Sequence, residues 1–470
     1  MPTRNPHPKE LLAQHLGQQA GVKASDLAGK LGISLASLHR LLQAHSSAIL
    51  ASGKARRTRY ALRRPLRGSI VEVPVYQIDD QGHASILSTL IPVYPTGSWM
   101  PLEHSDWPID AEHQDGWWDG LPYPLYDLQP QGFMGRQFAR AIHHILDVPE
   151  TPQLWNDDQL LYVLIQRGSD LSGNLIVGDP AFELWQQQRL HPASPIPAVE
   201  TASQYAQLAE QAIHHGTAGA SAAGEFPKFT AMRELAESIT PHVIVKFSGA
   251  EDSKAVTRWA DLLVCEHLAL EQINTLPGLY ASKSRVLRHS NRTFLELERF
   301  DRHGQFGRSA LLSMETVNAA LLGKDPSDWS LLADALAHAR LIDAKTQEAI
   351  HILWWYGKLI ANTDMHLGNL SFQPKQGKLQ LAPGYDMLPM LYAPLAGGEV
   401  PVRNFETPHP LPRQQSPWLI ACEAAIKFWN TAASDPLIGN DFHQIASENG
   451  RKLLNLRDII MPSKQPTTPP

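Results

Sequence analysis

The chain has 470 residues, of which 43% are hydrophobic and 19% are charged. This length exceeds one ordinary core, so we expect two to four structural units. No apolar run is long enough to cross a bilayer, and the polar start lacks the apolar stretch of a secretion signal, which predicts a cytoplasmic protein without a membrane partner. With only Cys265 and Cys422, a disulfide framework is excluded.

Charge is distributed unevenly along the chain, although the formal net charge is only −6. Residues 1–68 contain 12 lysines and arginines against two acidic residues, a balance of +10, and the rest of the chain carries −16. Two segments of opposite charge predict two different partners.

Helical patterns open the basic segment. Residues 8–20 repeat apolar positions at helical spacing. Two further helices follow, the first capped at Ser25 and ended at Gly32, the second opened by Ser34. This order is the helix-turn-helix pattern.

The next residues complete a predicted winged helix-turn-helix that binds DNA. Two short strands surround Gly53 and form a wing, whose turn carries Lys54, Arg56, Arg57 and Arg59. In a winged helix, one helix enters the major groove while the wing neutralises phosphates. Ser37 and Arg40 lie on the outward face of the second helix, where we expect base contacts. A protein-interaction module with a solvated basic face is the alternative.

The middle of the chain has mainly β-strand patterns. Over residues 69–98 the apolar period drops to two and β-branched residues gather, which predicts antiparallel strands. A Trp- and Pro-rich stretch and a helix near residues 136–146 follow. The sequence LLYVLIQRGSDLSGNLIVGD adds strand and turn signals, and the Pro-rich HPASPIPAVE predicts a boundary near residue 195.

A run of small residues, GTAGASAAGEFPKFT, begins at Gly216 and includes Ser221, Gly224 and Lys228. Glycines allow a backbone to approach an anion closely, and their N–H groups can cradle phosphate. Such a stretch is more often a plain flexible loop. The small residues therefore indicate a phosphate site only in combination with other evidence.

Lys246 interrupts the apolar strand PHVIVKFS. An ammonium group in such a strand is costly unless it reaches solvent or meets an anion. The next helix, RWADLLVCEHLAL, carries Asp261 and Glu266, and either one could pair with Lys246. This strand and helix predict an anion-binding position.

The segment ANTDMHLGNLSF follows a helix with a buried face and contains Asp364 and Asn369. A strand, LSF, and a second strand that ends at Asp386 come next. Asn, Thr and Asp are common where helices stop, so helix capping explains the segment alone. The order of a small-residue loop, a strand Lys, an acidic helix, Asp-x-x-x-x-Asn and a later Asp instead matches the needs of phosphoryl transfer from ATP, in which Asn and Asp hold Mg²⁺.

The segments GEFPKFTA, VIVKFS, LERFDR, ANTDMHLGNLSF and LAPGYDMLPMLYAP are similar to the signature segments of the HipA-like toxin kinases, over roughly residues 69–450. The resemblance implies an α+β fold of the HipA-like protein-kinase type, with a β-rich N-terminal and a mainly helical C-terminal subdomain. It also implies a serine/threonine protein kinase, the toxin of a toxin–antitoxin pair, which uses ATP and Mg²⁺. Aminoacyl-tRNA synthetases are known protein substrates in the family.

Site residues carry over from the resemblance by position. Asp364 corresponds to the catalytic carboxylate and Lys246 to the ATP-phosphate lysine, while Asn369 and Asp386 correspond to the Mg²⁺ ligands. Ser221 corresponds to a phosphate-loop serine that is self-phosphorylated, which ejects the loop and silences the kinase. Two further residues fall at the adenine hinge, Glu298 and Phe300.

The resemblance and the patterns together give a domain plan. It comprises a winged helix-turn-helix over residues 1–68, a β-rich subdomain over 69–195, a nucleotide-binding subdomain over 196–302, a helical catalytic subdomain over 303–460, and a disordered tail over 461–470. Fusion of a DNA-binding domain to the kinase departs from the family, whose antitoxin is usually a separate protein. A DNA-binding regulator with an inactive or ligand-sensing kinase fold, or a small-molecule kinase, are the alternatives.

Overall fold

The computed structural model describes residues 8–103, 105–214, 226–234, 238–325 and 328–461. Within these ranges, α-helices combine with antiparallel sheets of two to five strands. This arrangement confirms the predicted α+β class. None of the described helices is long and apolar enough to cross a membrane.

The N-terminal unit packs three helices against a small sheet of order β1-β3-β2. Its elements are α1 (Pro8–Gln18), β1 (Val22–Lys23), α2 (Ala24–Leu31), α3 (Leu35–Ala44), β2 (Ile49–Ser52) and β3 (Arg59–Leu62). Leucines from all three helices and Tyr60 of β3 form its core. This is the element order expected for a winged helix.

The ends of α2 and α3 follow two of the three sequence signals. Gly32 ends α2 with φ of 64°, and the Ser34 hydroxyl caps α3 by accepting the Ser37 N–H at 3.2 Å. The predicted cap at Ser25 is wrong. Ser25 lies inside the first turn of α2, because the extended residue before the helix is Lys23.

The N-terminal unit is joined to the sheet that follows it. This second part of the chain, the β4–β8 unit, comprises β4 (Val73–Ile78), β5 (Ala84–Pro92), β6 (Ser98–Trp99), β7 (Trp117–Trp118), α4 (Gly132–Leu146), α5 (Asp157–Arg167), β8 (Leu175–Val177) and α6 (Asp179–Leu190). The strands form one antiparallel sheet of order β7-β6-β5-β4-β8. Arg63 and Val93 form a β-bridge, and Leu50 and Ala61 pack on Ile91.

The predicted strand signal in LLYVLIQ is wrong, because these residues belong to α5. Asn156 and Gln159 form a capping box, in which each side chain accepts the backbone N–H of the other residue, at 2.9 and 3.0 Å. The helix is buried along most of its length, so its apolar run carries no clear period. Within the segment LLYVLIQRGSDLSGNLIVGD, the strand is β8.

A four-stranded antiparallel sheet of order β11-β12-β10-β9 lies between two helices. Its elements are α7 (Thr201–His214), β9 (Lys228–Met232), β10 (His242–Phe247), α8 (Lys254–Ile273), β11 (Ser284–His289) and β12 (Arg292–Glu298). One face, which includes Val245 and Phe247, packs on Tyr205 of α7. Since side chains alternate along a strand, Lys246 points to the other face, toward α8.

The C-terminal part is mainly helical. It contains β13 (Arg302–His303), β14 (Gly307–Arg308), β15 (Leu312–Ser313), α9 (Met314–Val317), α10 (Trp329–His338), α11 (Ala344–Leu359), β16 (Ser371–Lys375), β17 (Lys378–Leu381), α12 (Gln415–Ala432) and α13 (Asn440–Ile460). Trp329, Trp418 and Trp429 are buried in its core. That core continues without interruption into α8 and into the β4–β5 sheet, so these parts share one apolar cluster.

Candidate active site

A cavity of about 520 Å³ lies between the four-stranded sheet and the helical part. Lys246, Glu298 and Phe300 line its sheet side, and Gly368 and Asp386 line its helical side. Its size falls within the range of small-molecule sites.

The β4–β8 unit closes another side of the cavity, with Asp127 and Phe138 among its lining residues. The Asp127 carboxylate accepts the N–H and the hydroxyl of Ser313, both at 2.7 Å. Burial raises the pKa of Asp127, and the Ser313 hydrogen bonds oppose this shift. This contact fixes the β4–β8 unit to the helical part beside the cavity. The sequence did not predict a site residue here.

Lys246 is the charged centre of the cavity. Its side chain is 4% exposed, and its ammonium donates to both oxygens of Glu266, at 2.6 and 2.7 Å, and to Oδ1 of Asp386. Of the two acidic partners predicted on α8, Glu266 is therefore the one that pairs. Asp261 instead accepts the Gly439 N–H at 2.8 Å.

Burial and charge pairing act in opposite directions on these groups. Burial disfavours the ammonium of Lys246, but the carboxylates of Asp386 and Glu266 outweigh it and raise the Lys246 pKa. Burial likewise opposes ionisation of Asp386, yet Lys246 and Lys228 lower its pKa to about 2. For the fully buried Glu266, burial outweighs the attraction of Lys246, and its pKa is raised. Asp386 is thus an ionised carboxylate at neutral pH.

The sequence predicted a strand that ends at Asp386, and this prediction is wrong. β17 stops at Leu381, and Pro383, which has no N–H to donate, lies two positions further along the chain. Asp386 has a left-handed backbone with φ of 50°. Its side chain is 31% exposed, so it is paired with Lys246 and still reaches solvent.

The loop after α11 brings Asp364 and Asn369 together. The Asn369 side-chain amide donates to the Asp364 carbonyl at 2.8 Å, and Asn369 is buried while Asp364 is exposed. Gly368, the neighbour of Asn369 in the chain, lines the cavity. The loop thus carries an exposed carboxylate four positions before Gly368, while neither Asp364 nor Asn369 is among the described residues that line the cavity.

Two residues that the sequence analysis left without a role hold this loop. The buried Asn362 accepts the Asp364 N–H at 3.0 Å and donates to the Asp386 carbonyl at 3.4 Å. The Tyr385 hydroxyl donates to the Gly368 carbonyl at 2.7 Å. Asn362 lies in the segment ANTDMHLGNLSF and Tyr385 in LAPGYDMLPMLYAP, so each is close in sequence to a predicted catalytic or metal-binding residue.

The small-residue loop is only partly described. Ser221 and Gly224 lie outside the described residues. Phe226 is the first residue described after the loop, and its ring centroid lies 5.8 Å from the Lys246 ammonium. Lys228 pairs with Lys246 in the β9–β10 register and lines the same cavity. The end of the loop thus lies over the charged centre.

The two predicted hinge residues differ in their contacts. The Glu298 carboxylate accepts a hydrogen bond from Arg233 at 2.9 Å. The backbone N–H of Glu298 donates to the Lys283 carbonyl, and the backbone carbonyl of Glu298 accepts from the Ser282 hydroxyl. Phe300 lines the cavity with its ring 5.7 Å from that of Tyr385. Glu298 is therefore already engaged within the sheet.

Asn369 and Asp386 are the residues that could hold Mg²⁺. Both supply oxygen donors, the ligand type that this hard cation prefers, and Asp386 is ionised and partly exposed. The described residues contain no cluster of three or more His, Cys, Asp or Glu side chains with ligand geometry. Such a donor set fits Mg²⁺ bound jointly by one or two protein side chains and substrate phosphates.

The predicted DNA-contact residues lie apart from this cavity. Arg40, Lys54 and Arg57 are exposed, and Ser37 is half-buried at the start of α3. The Arg56 side chain lies outside the described part of the structure. Arg59 differs from the expectation of a free wing cation, because its guanidinium lies 3.7 Å from the Asp115 carboxylate of the β4–β8 unit.

Comparisons with known proteins match two family models. A YjjJ-like toxin middle domain matches residues 70–186, and a HipA-like C-terminal domain matches residues 220–430. Toxin YjjJ of Escherichia coli (strain K12) is 37% identical over 438 residues, which cover 93% of this chain and 96% of that protein.

Two solved structures are also similar. The HipA of the Shewanella oneidensis MR-1 HipA, HipB and operator DNA complex gives a TM-score of 0.49 at 12% identity, over 82% of this chain and 97% of its own. The Helicobacter pylori proinflammatory kinase CtkA gives 0.35 at 16% identity, over 51% and 93%. Given the full-length match to Toxin YjjJ and the HipA-like C-terminal domain, the chain belongs to the HipA-like toxin kinase family.

Proposed function

We propose that this chain is a cytoplasmic serine/threonine protein kinase of the toxin type, which transfers the γ-phosphate of ATP with the help of Mg²⁺. The observation that carries the proposal is the buried ion pair of Lys246 and Glu266, with Asp386 beside it in a cavity of nucleotide size. Phosphoryl transfer depends mainly on positioning and electrostatic stabilisation, and this cluster can supply both.

Each side chain has a role that follows from its position. Lys246, held by Glu266, would contact the α- and β-phosphates of ATP, and Lys228 adds positive charge on the same face of the sheet. Asp364 accepts the proton of the acceptor hydroxyl or orients it. Asn369 and Asp386 are the residues that would hold Mg²⁺, which when bound would neutralise charge on the phosphates.

The adenine end of the cavity lies at the hinge after β12. Because the backbone groups of Glu298 are already used within the sheet, Phe300 is the residue we assign to adenine contact. Glu298 instead holds Arg233 and keeps the hinge attached to the sheet.

The acceptor that we propose is a serine or threonine of a bacterial protein. Asp364 is exposed rather than enclosed, so the site accommodates a segment of a macromolecule as readily as a small molecule. Aminoacyl-tRNA synthetases are the first proteins to test, because the family resemblance points to them.

The proposal is tested by incubating the full chain with labelled ATP, Mg²⁺ and a bacterial lysate. We expect labelled protein with the native chain and none with Asp364→Ala. Glu348→Gln changes an exposed acid on α11, the helix that leads to Asp364, and is the matched control that retains labelling. Equal labelling by the native chain and Asp364→Ala would reject the catalytic role of Asp364. Label found only on small molecules would show that the acceptor is a small molecule rather than a protein.

DNA binding by the N-terminal unit is a second candidate function. It is favoured by the helix order of that unit and by the exposed cations Arg40, Lys54 and Arg57. Fluorescence anisotropy with a labelled duplex at several salt concentrations measures it. DNA binding without any phosphoryl transfer would favour the regulator alternative.

A further inference from the structure

A second cavity of about 460 Å³ lies on the other side of the hinge from the proposed nucleotide site. Residues of α6, of the turn between β13 and β14, and of the edge strand β9 surround it. Asp170, Thr230 and Arg299 belong to the walls of both cavities. The two spaces are therefore neighbours separated by one layer of side chains.

Three arginines converge on this cavity. Arg299, Arg302 and Arg308 are each at least nine-tenths buried, and all line it. Their guanidinium nitrogens lie 3.5, 2.7 and 3.8 Å from Oδ1 of Asp170. Asp170 is the sole acid among the described lining residues, so one carboxylate faces three cations.

A further acid behind the cavity does not balance these charges. The Asp301 carboxylate accepts from Arg299 and Arg302 at 2.7 to 3.1 Å, so its hydrogen bonds serve two of the three arginines. The described cluster therefore holds three cations and two anions. A buried excess of positive charge is costly unless an anion accompanies it.

Among the three arginines, Arg308 has the weakest contact with the two carboxylates. Its Nη2 donates to the Ser169 carbonyl at 2.8 Å, whereas its buried Nη1 has no hydrogen-bond partner in the described part of the chain. Burial, with the nearby charge of Arg302, lowers the pKa of Arg308 to about 9. A purely structural clamp between the hinge and residues 169–173 explains Arg299 and Arg302, but it leaves Arg308 half satisfied beside an open space.

The remaining walls are largely apolar. Trp185, Ile196, Leu208 and Phe306 line the cavity, and the guanidinium carbon of Arg189 lies 5.4 Å from the ring centroid of Phe306. His242 also lines it, but burial lowers its pKa and its Nε2 is bonded to the Gln305 carbonyl at 2.8 Å. The second cavity thus has one charged end, and the rest of its wall is largely apolar.

We propose that this second cavity binds a small organic anion, with a phosphate or carboxylate head beside Arg308 and an apolar body against Phe306. Guanidinium groups are well suited to both heads, because their N–H donors match two oxygens at once. The site is distinct from the proposed nucleotide site, and its existence does not depend on the kinase activity.

The experiment is calorimetric titration of the full chain with phenyl phosphate, in the presence of a saturating non-hydrolysable ATP analogue. We expect saturable binding, retained in Lys246→Met and weakened by about tenfold in Arg308→Met, because a hydrogen bond to a charged group is lost. Phenol, which has no anionic head, should not bind. Titration with phenylacetate shows whether a carboxylate serves as well as a phosphate.

A second variant keeps the proposal testable if Arg308→Met does not fold. Gln188 is exposed on α6 at the cavity, so Gln188→Trp should block the space without disturbing the arginines. We expect unchanged thermal stability of this variant without ligand, and loss of binding. The proposal is overturned if neither anion binds the native chain, or if binding survives Gln188→Trp and disappears in Lys246→Met.

Discussion

The Lys246 ammonium lies 2.6 Å from Oε1 of Glu266, and 20 positions of chain separate the two residues. Strand β10 supplies the cation and helix α8 supplies the carboxylate, so the pair exists only when α8 packs on the cavity face of the sheet. A buried pair of this kind is strongly coupled, because removing one partner leaves a charge without its counter-ion.

Glu266→Gln should reduce kcat/KM for ATP on the order of 100-fold, the typical cost of removing one preorganised electrostatic partner. The physical reason is that the substitution removes the negative charge of Glu266, so that Asp386, which we assign to Mg²⁺, is the one carboxylate that the described residues still place on Lys246. Steady-state kinetics with labelled ATP measures the effect.

Asp261→Asn is the matched control for that substitution. Asp261 is buried on the same helix but contacts the Gly439 N–H rather than Lys246. We expect activity within about twofold of the native chain, since the side-chain oxygen that accepts this bond remains. Loss of activity in Asp261→Asn with none in Glu266→Gln would contradict the assigned pair.

The pH dependence of stability should report the ion pair of Asp386. Its pKa is about 2 in the folded chain, below its ordinary value of 3.8, because Lys246 and Lys228 outweigh burial. The unfolded state therefore binds more protons in this window, so the stabilisation is present above about pH 4 and is lost as pH falls toward 2. Urea unfolding of the native chain and Asp386→Asn should give curves that converge over this range.

A double substitution separates this effect from other carboxylates that titrate at the same pH. In a Lys246→Met background, adding Asp386→Asn should change the pH dependence of stability less, because Lys246, the stronger of the two cations that lower the Asp386 pKa, is gone and Lys228 remains. An equal effect of Asp386→Asn in both backgrounds would show that Lys246 is not the cause.

Local sequence signals predicted several helix ends in the N-terminal unit. Gly32 and Ser34 end and begin their helices as expected, because caps depend on residues close in the chain. The apolar run of α5 misled because it lacks a clear period, although Asn156 and Gln159 carried a capping-box signal.

The choice between Asp261 and Glu266 could not be made from the sequence. Both lie on α8, five positions apart, so they point to different sides of the helix. Which side faces Lys246 depends on how α8 packs against the sheet, and that is a tertiary property. The pairing of Arg59 with Asp115 is of the same kind, since it follows from contact between two units.

Asn362→Ala should lower kcat by about tenfold and change KM for ATP much less. Asn362 joins the Asp364 N–H to the Asp386 carbonyl and is absent from the cavity lining, so its loss misplaces the reacting groups without removing a nucleotide contact. The free energy of unfolding should fall by about 1–3 kcal/mol, because buried polar groups lose their partner.

Asn318→Ala is the control for this change. Asn318 is also buried, and its amide bonds both backbone groups of Lys324. We expect a similar loss of stability with kcat unchanged. A parallel fall of kcat in both variants would mean that Asn362 acts only through stability.

Arg40→Ala should weaken binding of the full chain to duplex DNA and reduce the slope of log K against log salt by about 1, as expected for one lost phosphate contact. Arg40 is exposed on α3, the helix that we expect to enter the groove. Anisotropy titrations at several salt concentrations measure the slope. Arg140→Ala, on α4 and paired with Glu150, should leave it unchanged.

Asp115→Ala should have the opposite effect and strengthen DNA binding. The Asp115 carboxylate lies 3.7 Å from the Arg59 guanidinium, and it lines a cavity of about 690 Å³ beneath the wing together with the acids Glu72 and Glu103. In the proposed DNA complex, Asp115 would compete with a DNA phosphate for Arg59, so we expect its removal to make Arg59 available.

The salt slope should rise by up to about 1 in Asp115→Ala, the value for one additional phosphate contact. Glu103→Ala is the matched comparison, because Glu103 lines the same cavity and has no ion pair with Arg59 among the described residues. We expect its slope to remain that of the native chain. A slope unchanged in Asp115→Ala, or raised equally in both variants, would show that Arg59 does not exchange Asp115 for a DNA phosphate.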